Sequence, residues 1–133
     1  MQLKKIKGGN YLVDDTYNAT PKGFEAALRY LYLFKGKKKI VVTPGIIELG
    51  EESGNVHKKI GQLLARFADY IVLTSDDFID EIREGMGNSR NKLVLIKDSN
   101  QIKRLLSEND EKYAILLEGR IPLKVYQVLT LLK

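Results

Sequence analysis

Short apolar runs alternate with longer amphipathic segments along most of this chain, and the alternation restricts the folds open to it. The apolar runs lie at residues 11–14, 39–43, 69–74, 92–97 and 112–118. In the first intervening segment, apolar residues recur at helical spacing, at Phe24, Ala27, Leu28 and Leu31. Strands that alternate with helices of about ten residues or more form βαβ units with parallel strands. The pattern therefore predicts an α/β fold with a Rossmann-like, doubly wound, mostly parallel sheet.

The N-terminal residues predict an antiparallel hairpin at one edge of that sheet. Residues 1–7 are typical of a short strand, and Lys7-Gly8-Gly9-Asn10 is a turn signal because glycine tolerates positive φ. The next strand returns from Tyr11. No linker or internal repeat interrupts the pattern, so residues 1–133 are expected to form a single domain.

Capping residues indicate where helices begin. Thr20 is expected to cap the first helix, with Pro21 at the position where proline's missing N–H costs nothing. Ser75 is expected to cap the third helix directly. The later helices are expected to face the core with Val56, Ile60, Leu63, Leu64, Phe67, Phe78, Ile79, Ile82, Ile102, Leu105, Leu106, Val125, Val128, Leu129 and Leu132.

Composition argues against several protein classes. No apolar run approaches the roughly 18 residues that span a bilayer, no secretory signal follows the basic N-terminus, and cysteine is absent. A cytoplasmic protein with no membrane partner is therefore expected. The net charge is +5, but the densest basic segment, residues 35–39, has no interleaved aromatic residues and is typical of a solvated loop. Nucleic acid is therefore not an expected partner. Binding of polyanions through this loop stays open as a lesser alternative, and it would depend steeply on salt concentration.

The segment from Tyr11 to Pro21 gives the strongest indication of a binding site. An apolar strand ends in Asp14 and Asp15, a polar loop follows, and a helix opens at Thr20. In open α/β sheets, ligands bind beyond the carboxyl ends of the strands. A carboxylate there accepts hydrogen bonds from sugar hydroxyls, and a helix N-terminus favours anionic groups. Neighbouring strand residues point to opposite faces, so the two acids are expected to differ in function, with ligand contact and loop structure both open.

A second candidate segment runs from Thr43 to Gly50. Two glycines and a proline follow a buried strand there, and such loops let the backbone approach a ligand closely. Glu48 is expected at the same edge of the sheet as Asp15. His57 is the only histidine, and a single histidine on a helix is usually structural or exposed. No catalytic residue and no metal ligand is assigned to this chain alone.

Several nucleotide and hydrolase motifs are absent from the sequence. There is no Gly-x-x-x-x-Gly-Lys-Ser/Thr loop, no Gly-x-Gly-x-x-Gly after a strand and no Gly-x-Ser-x-Gly elbow. Any ATP phosphates and Mg²⁺ would therefore have to be held by another domain. A phosphoacceptor receiver domain is disfavoured because the strand ending at Thr43-Pro44-Gly45 carries no acid to phosphorylate.

Two linked motifs resemble the C-terminal domain of Mur ligases. They are Asp14-Asp15-Thr16-Tyr17-Asn18-Ala19-Thr20-Pro21 and Glu48-Leu49-Gly50-Glu51-Glu52-Ser53, followed by His57 and Ile60-Gly61. In order and spacing they are most similar to the ligase type that adds D-alanyl-D-alanine to UDP-MurNAc-tripeptide. The match in motifs covers the first half of the chain, and the rest matches in strand–helix order.

The resemblance implies a Rossmann-like domain that closes over ATP and Mg²⁺ held mainly by a central domain, in cis or in trans. In this family, ATP phosphorylates a carboxylate and an amine attacks the acyl phosphate, which forms an amide of a peptidoglycan precursor. Asp15 would contact the ribose hydroxyls, and Asn18 would face the phosphates. The pocket for an incoming amino acid or dipeptide would be shaped by Glu48, Leu49, Gly50 and His57.

The chain diverges from this ligase type in two segments. Thr43-Pro44-Gly45-Ile46 stands where the family has Gly-Asp-Met-Leu, and Glu118-Gly119-Arg120-Ile121 stands where it has Lys-Gly-Ser-Arg. The central ATP-binding and N-terminal UDP-sugar domains are absent from these residues, so ligation by this chain alone is not expected. The alternative is a freestanding Rossmann-like module that binds a nucleotide or a partner without catalysis.

Overall fold

A six-stranded sheet organises the computed structural model, which describes residues 1–18, 20–107 and 111–130. The strands lie in the order β1-β2-β6-β3-β4-β5; they are β1 (Gln2–Ile6), β2 (Asn10–Asp15), β3 (Lys38–Thr43), β4 (Tyr70–Leu73), β5 (Leu93–Leu95) and β6 (Tyr113–Glu118). β1 and β2 pair antiparallel, and the remaining pairs are parallel. The predicted Rossmann-like sheet with an antiparallel edge hairpin is confirmed.

Helices cover both faces of the sheet, and the sheet separates two apolar clusters. They are α1 (Pro21–Tyr32), α2 (Ser53–Phe67), α3 (Ile79–Met86), α4 (Ser99–Ser107) and α5 (Leu123–Thr130). The first three pack on the face that carries Val13, Val41 and Leu116. The last two pack on the opposite face, which carries Leu12 and Ile115. Every residue of β6 is buried, as expected for a central strand covered on both sides.

The sequence signals at the start of α1 are confirmed. The hydroxyl of Thr20 accepts a hydrogen bond from the Gly23 N–H at 3.1 Å, and Pro21 occupies the first helical turn. The predicted buried stripe of α1 is fully inside the core. Within the described ranges, no helix combines the length and the apolar character that a bilayer crossing needs.

Ser75 does not cap α3, and that prediction is wrong. The helix begins at Ile79, four residues later, with Phe78 at its cap position. The Ser75 hydroxyl instead accepts a hydrogen bond from the Asp77 N–H at 3.2 Å, which closes a local turn before the helix. Leu132, expected to face the core from the closing helix, lies outside the described residues.

Candidate functional site

Three strand ends meet at the carboxyl edge of the sheet and bring the two sequence motifs together. Asp15 of β2 is paired in register with Glu118 of β6, and β6 also pairs with β3. The loops that follow these strands converge at Gly119, where φ is +81° and an added Cβ would lie 3.4 Å from the Gly45 carbonyl and 4.0 Å from that of Asn18. The expected shared edge for the Asp15 and Glu48 segments is therefore observed.

Asp14 and Asp15 point to opposite faces, and Asp14 is a structural acid. Its carboxylate accepts hydrogen bonds from the Thr16 N–H and hydroxyl at 3.1 and 2.7 Å and from the Tyr126 hydroxyl at 2.7 Å. Burial alone would raise the pKa of Asp14, but these hydrogen bonds outweigh it and lower the pKa. Asp14 thus holds the end of β2 against α5.

Asp15 lies on the other face, at the end of a chain of hydrogen bonds that reaches α1. Its carboxylate accepts from the Asn18 amide at 3.0 Å and lies 3.8 Å from the amino group of Met1. The Asn18 side-chain oxygen accepts from the Thr20 N–H and hydroxyl at 3.1 and 3.2 Å. Asn18 therefore fixes the orientation of Asp15 relative to the helix start, and its contact with phosphate stays a prediction.

The Asn18 side chain occupies space that is open only because Gly23 has no side chain. A Cβ at Gly23 would coincide with the Asn18 amide. Gly23→Ala is therefore expected to displace that amide from Asp15, while the free energy of unfolding changes by less than about 1 kcal/mol because alanine favours the helix. The Asn18 side-chain amide signals in NMR spectra and urea denaturation measure the two effects. Gly54→Ala is the matched control, since nothing lies within 4 Å of a Cβ there; unchanged Asn18 signals in Gly23→Ala would contradict the expectation.

Glu118 is a buried acid that the sequence motifs did not assign to the site. Only 1% of its surface is exposed, and among the described residues no donor reaches its Oε2. Burial, the hydrogen bond to Asp15 and the negative charge of Asp15 raise the pKa of Glu118 to about 10, against the opposing amino-terminal charge. The carboxyl is therefore neutral at pH 7 and donates a hydrogen bond to Asp15. The signal available in the sequence was an acid at the end of a fully apolar strand.

His57 fixes the loop that follows β3. The ring is fully buried and stacks on Phe78 with centroids 3.9 Å apart. Its Nε2 accepts a hydrogen bond from the Ile46 N–H at 3.1 Å, so the proton of the neutral ring lies on Nδ1, 2.7 Å from the Ser53 carbonyl. Burial lowers the pKa of His57, although the Ser53 carbonyl and Glu81 oppose the shift. Since both nitrogens bind the main chain, the geometry supports a positioning role, and substrate contact stays a prediction.

The loop after β3 forms one wall of a cavity of about 210 Å³. Residues 44–49 line one side, and Gly119 and Arg120 line the other. Glu48 is exposed and has a φ of +64°, a conformation that costs a non-glycine residue energy, whereas Leu49 packs on the core and Gly50 opens a short 3-10 turn. Arg120 also borders a second cavity of about 310 Å³ with Thr16, Tyr17, Ile121, Leu123 and Tyr126.

Comparison with known proteins gives consistent matches over most of the chain. The family described as Mur ligase, glutamate ligase domain, matches residues 1–121. A UDP-N-acetylmuramoyl-tripeptide–D-alanyl-D-alanine ligase from Buchnera aphidicola is 30% identical over 123 residues, which are 92% of this chain and 27% of that protein. The chain thus spans about a quarter of this relative's length.

Solved structures show the same relationship. The MurF ligase of Thermotoga maritima, in complex with ADP, superposes with a TM-score of 0.76 at 28% identity, over 98% of this chain and 29% of the other. A MurF structure from Acinetobacter baumannii gives a TM-score of 0.76 at 26% identity, over 97% of this chain and 29% of the other.

Proposed function

The chain belongs to the Mur ligase family of C-terminal, glutamate ligase domains, and on that premise we propose that it acts in an ATP-dependent acid–amino acid ligase of peptidoglycan precursor synthesis. In this proposal residues 1–133 form one such domain, which closes over ATP and positions the incoming amino substrate. The observation that carries it is the meeting of the Asp15 and Glu48 segments at one edge of the sheet, beside the start of α1.

Asp15 has the chemistry that a ribose contact needs. Asn18 and neutral Glu118 donate to its carboxylate, which has further lone pairs that can accept from vicinal hydroxyls. The Thermotoga maritima relative was solved in complex with ADP, which supports a nucleotide as a ligand of the whole ligase. The sequence has no P-loop, so the proposal assigns the phosphates and Mg²⁺ to a central ATP-binding domain, in cis or in trans.

Bound ATP would supply the phosphoryl group that activates a substrate carboxylate. The residues of this chain would contribute position and exclusion of water. Holding an amine and an activated carboxyl in contact lowers the entropic part of the barrier, and a closed site protects the activated carboxyl from hydrolysis. The loop of residues 44–49, fixed through Ile46 by His57, is the element of this chain that would hold the amine.

A chimera tests the proposal. This chain replaces the matching C-terminal part of the Thermotoga maritima MurF ligase, and amide formation from UDP-N-acetylmuramoyl-tripeptide and D-alanyl-D-alanine is measured with ATP. We expect ATP-dependent product. A chimera that forms no amide, together with calorimetric binding of an ATP analogue by residues 1–133 alone, would instead support the freestanding binding module.

Asp15→Asn in this chimera is expected to weaken ATP-analogue affinity about tenfold, because hydrogen bonds to a charged acceptor contribute about 1.5–3 kcal/mol. Asp69→Asn is the matched control. Asp69 lies at the opposite edge of the sheet, where its carboxylate accepts from the Lys39 N–H at 2.8 Å. Equal affinities for the two variants would show that the ribose assignment is wrong.

A further inference from the structure

We infer that the open edge of β1 and the groove beside it bind an acidic, extended segment of a partner protein, which adds a strand to the sheet. β1 is the first strand in the sheet order, and in the described part of the chain it pairs with β2 alone. A strand edge of this kind is a template for the backbone of another chain. The groove shares no lining residue with the two cavities at the carboxyl edge, so the inference goes beyond the proposed function and does not depend on it.

The groove has a volume of about 480 Å³ and lies on the face of the sheet that α1 covers. Leu3 and Tyr11 form its floor, and Tyr30, Leu33 and Phe34, at the end of α1 and just after it, form the far wall. Leu3 is 47% exposed and Leu33 is 68% exposed. Side chains of an added strand would project alternately to the two faces of the sheet, so every second one would reach the groove. An apolar side chain there would cover both leucines.

The segments that build the groove are strongly basic. Residues 1–13 and 30–39 contain seven lysines and no aspartate or glutamate. Lys5 is exposed on the strand, and Lys37 is fixed at the rim because its Nζ donates to the Gly9 carbonyl at 2.9 Å and lies 5.1 Å from the centre of the Tyr11 ring. Among the described residues, no carboxylate lies within 4 Å of either ammonium group. An acidic segment would supply the missing negative charge.

The same lysines argue against a second copy of this chain as the occupant. Antiparallel pairing of two β1 strands would place Lys4 and Lys5 of one copy beside the same residues of the other, and like charges on facing strands are destabilising. Lysines on an edge strand hinder self-association for this reason. A lipid surface offers no backbone groups that could pair with the open edge. The charge and the open edge therefore fit a different protein, with glutamate or aspartate beside apolar residues.

NMR titration of the chain with the peptide acetyl-Glu-Val-Glu-Leu-Glu-Val-Glu-amide tests the inference. We expect the peptide to shift the amide signals of residues 2–6 and the methyl signals of Leu3 and Leu33, and to slow hydrogen exchange along β1. A peptide with lysine in place of every glutamate should bind about tenfold more weakly or less. Two further peptides are N-methylated at alternate residues, in opposite phases. Because an antiparallel strand bonds to one neighbour through alternate residues, only one of the two phases should prevent binding.

Leu3→Ser and Lys5→Glu are each expected to weaken binding of the glutamate peptide about fivefold. The matched controls are Leu95→Ser, on the edge strand at the other side of the sheet, and Lys103→Glu, on α4. Both controls should leave the affinity unchanged. All four side chains are exposed, so the variants should fold, and urea denaturation checks this.

Several results would overturn the inference. They are equal affinity for the glutamate and lysine peptides, shifts at β5 instead of β1, and binding by both N-methylated peptides. If inorganic polyphosphate displaces the peptide and Leu3→Ser has no effect, the surface attracts charge alone. If vesicles of phosphatidylglycerol bind the chain more tightly than the peptide does, the surface is a membrane contact. A chimera that ligates although the chain does not bind the peptide would refute the inference and leave the proposed function standing.

Discussion

Glu118→Gln is expected to raise the free energy of unfolding at pH 7 by about 3 kcal/mol. In the folded chain the Glu118 pKa is about 10, raised from 4.5 chiefly by burial and by the neighbouring Asp15. At pH 7 the unfolded carboxyl is ionised, so folding must protonate it. Glutamine has the same shape, donates a hydrogen bond to Asp15 and needs no proton.

The same linkage fixes the pH dependence. Below pH 4.5 both folded and unfolded chains carry the Glu118 proton, and its full contribution to stability is present. As the pH rises from 4.5 towards 10, only the unfolded chain loses the proton, so the wild-type chain is progressively destabilised. Urea denaturation between pH 4 and 9 measures this slope, which Glu118→Gln should flatten. Glu52→Gln, at an exposed acid, should leave the slope unchanged; parallel profiles for wild type and Glu118→Gln would contradict the assignment.

The state of Glu118 has a consequence for the proposed nucleotide site. If Glu118 were ionised, its carboxylate would repel the carboxylate of Asp15 and would compete with it for the Asn18 amide. A neutral carboxyl instead donates to Asp15 and leaves it as an acceptor for hydroxyl groups. The glutamate at the position of the family's lysine is therefore compatible with a ribose contact, provided that the pair keeps its proton.

Local patterns in the sequence were sufficient for the elements of the fold but not for the partners across the sheet. The apolar alternation predicted the parallel strands, and Thr20-Pro21 predicted the start of α1. Ser75 failed as a helix cap because its hydroxyl satisfied a nearer N–H first. The insertion of β6 between β2 and β3 places Glu118 beside Asp15, although 102 residues separate them, and no local periodicity encodes that neighbour.

The same limit applies to the candidate site. That the loops carrying Asp15 and Glu48 share an edge followed from the parallel arrangement of β2 and β3, so the sequence indicated it. The Arg120 wall of the cavity and the use of both His57 nitrogens by main-chain groups depend on loop conformation. Side-chain contacts of that kind are set by packing between distant segments, and the motifs alone do not predict them.

His57→Ala is expected to lower the free energy of unfolding by about 3–4 kcal/mol and to release the loop of residues 44–49. The substitution leaves a cavity beside Phe78 and removes the partners of the Ile46 N–H and the Ser53 carbonyl. His57→Phe separates the two effects, because it keeps an aromatic ring beside Phe78 and loses both hydrogen bonds. Urea denaturation at pH 7.5 and hydrogen exchange at the Ile46 amide are the measurements.

The pH dependence of stability provides an independent check on His57. Because burial lowers its folded pKa below the ordinary 6.5, the unfolded chain takes up a proton first as the pH falls. The wild-type chain should therefore lose the contribution of His57 to stability below pH 6.5, until the folded pKa is passed, and His57→Phe should lack this loss. The contribution of His57 to stability falls as the pH falls, whereas that of Glu118 falls as the pH rises. The two groups therefore change the free energy of unfolding in opposite directions and can be distinguished in one pH series. An Ile46 amide that stays protected from exchange in His57→Ala would show that the loop is held by other contacts.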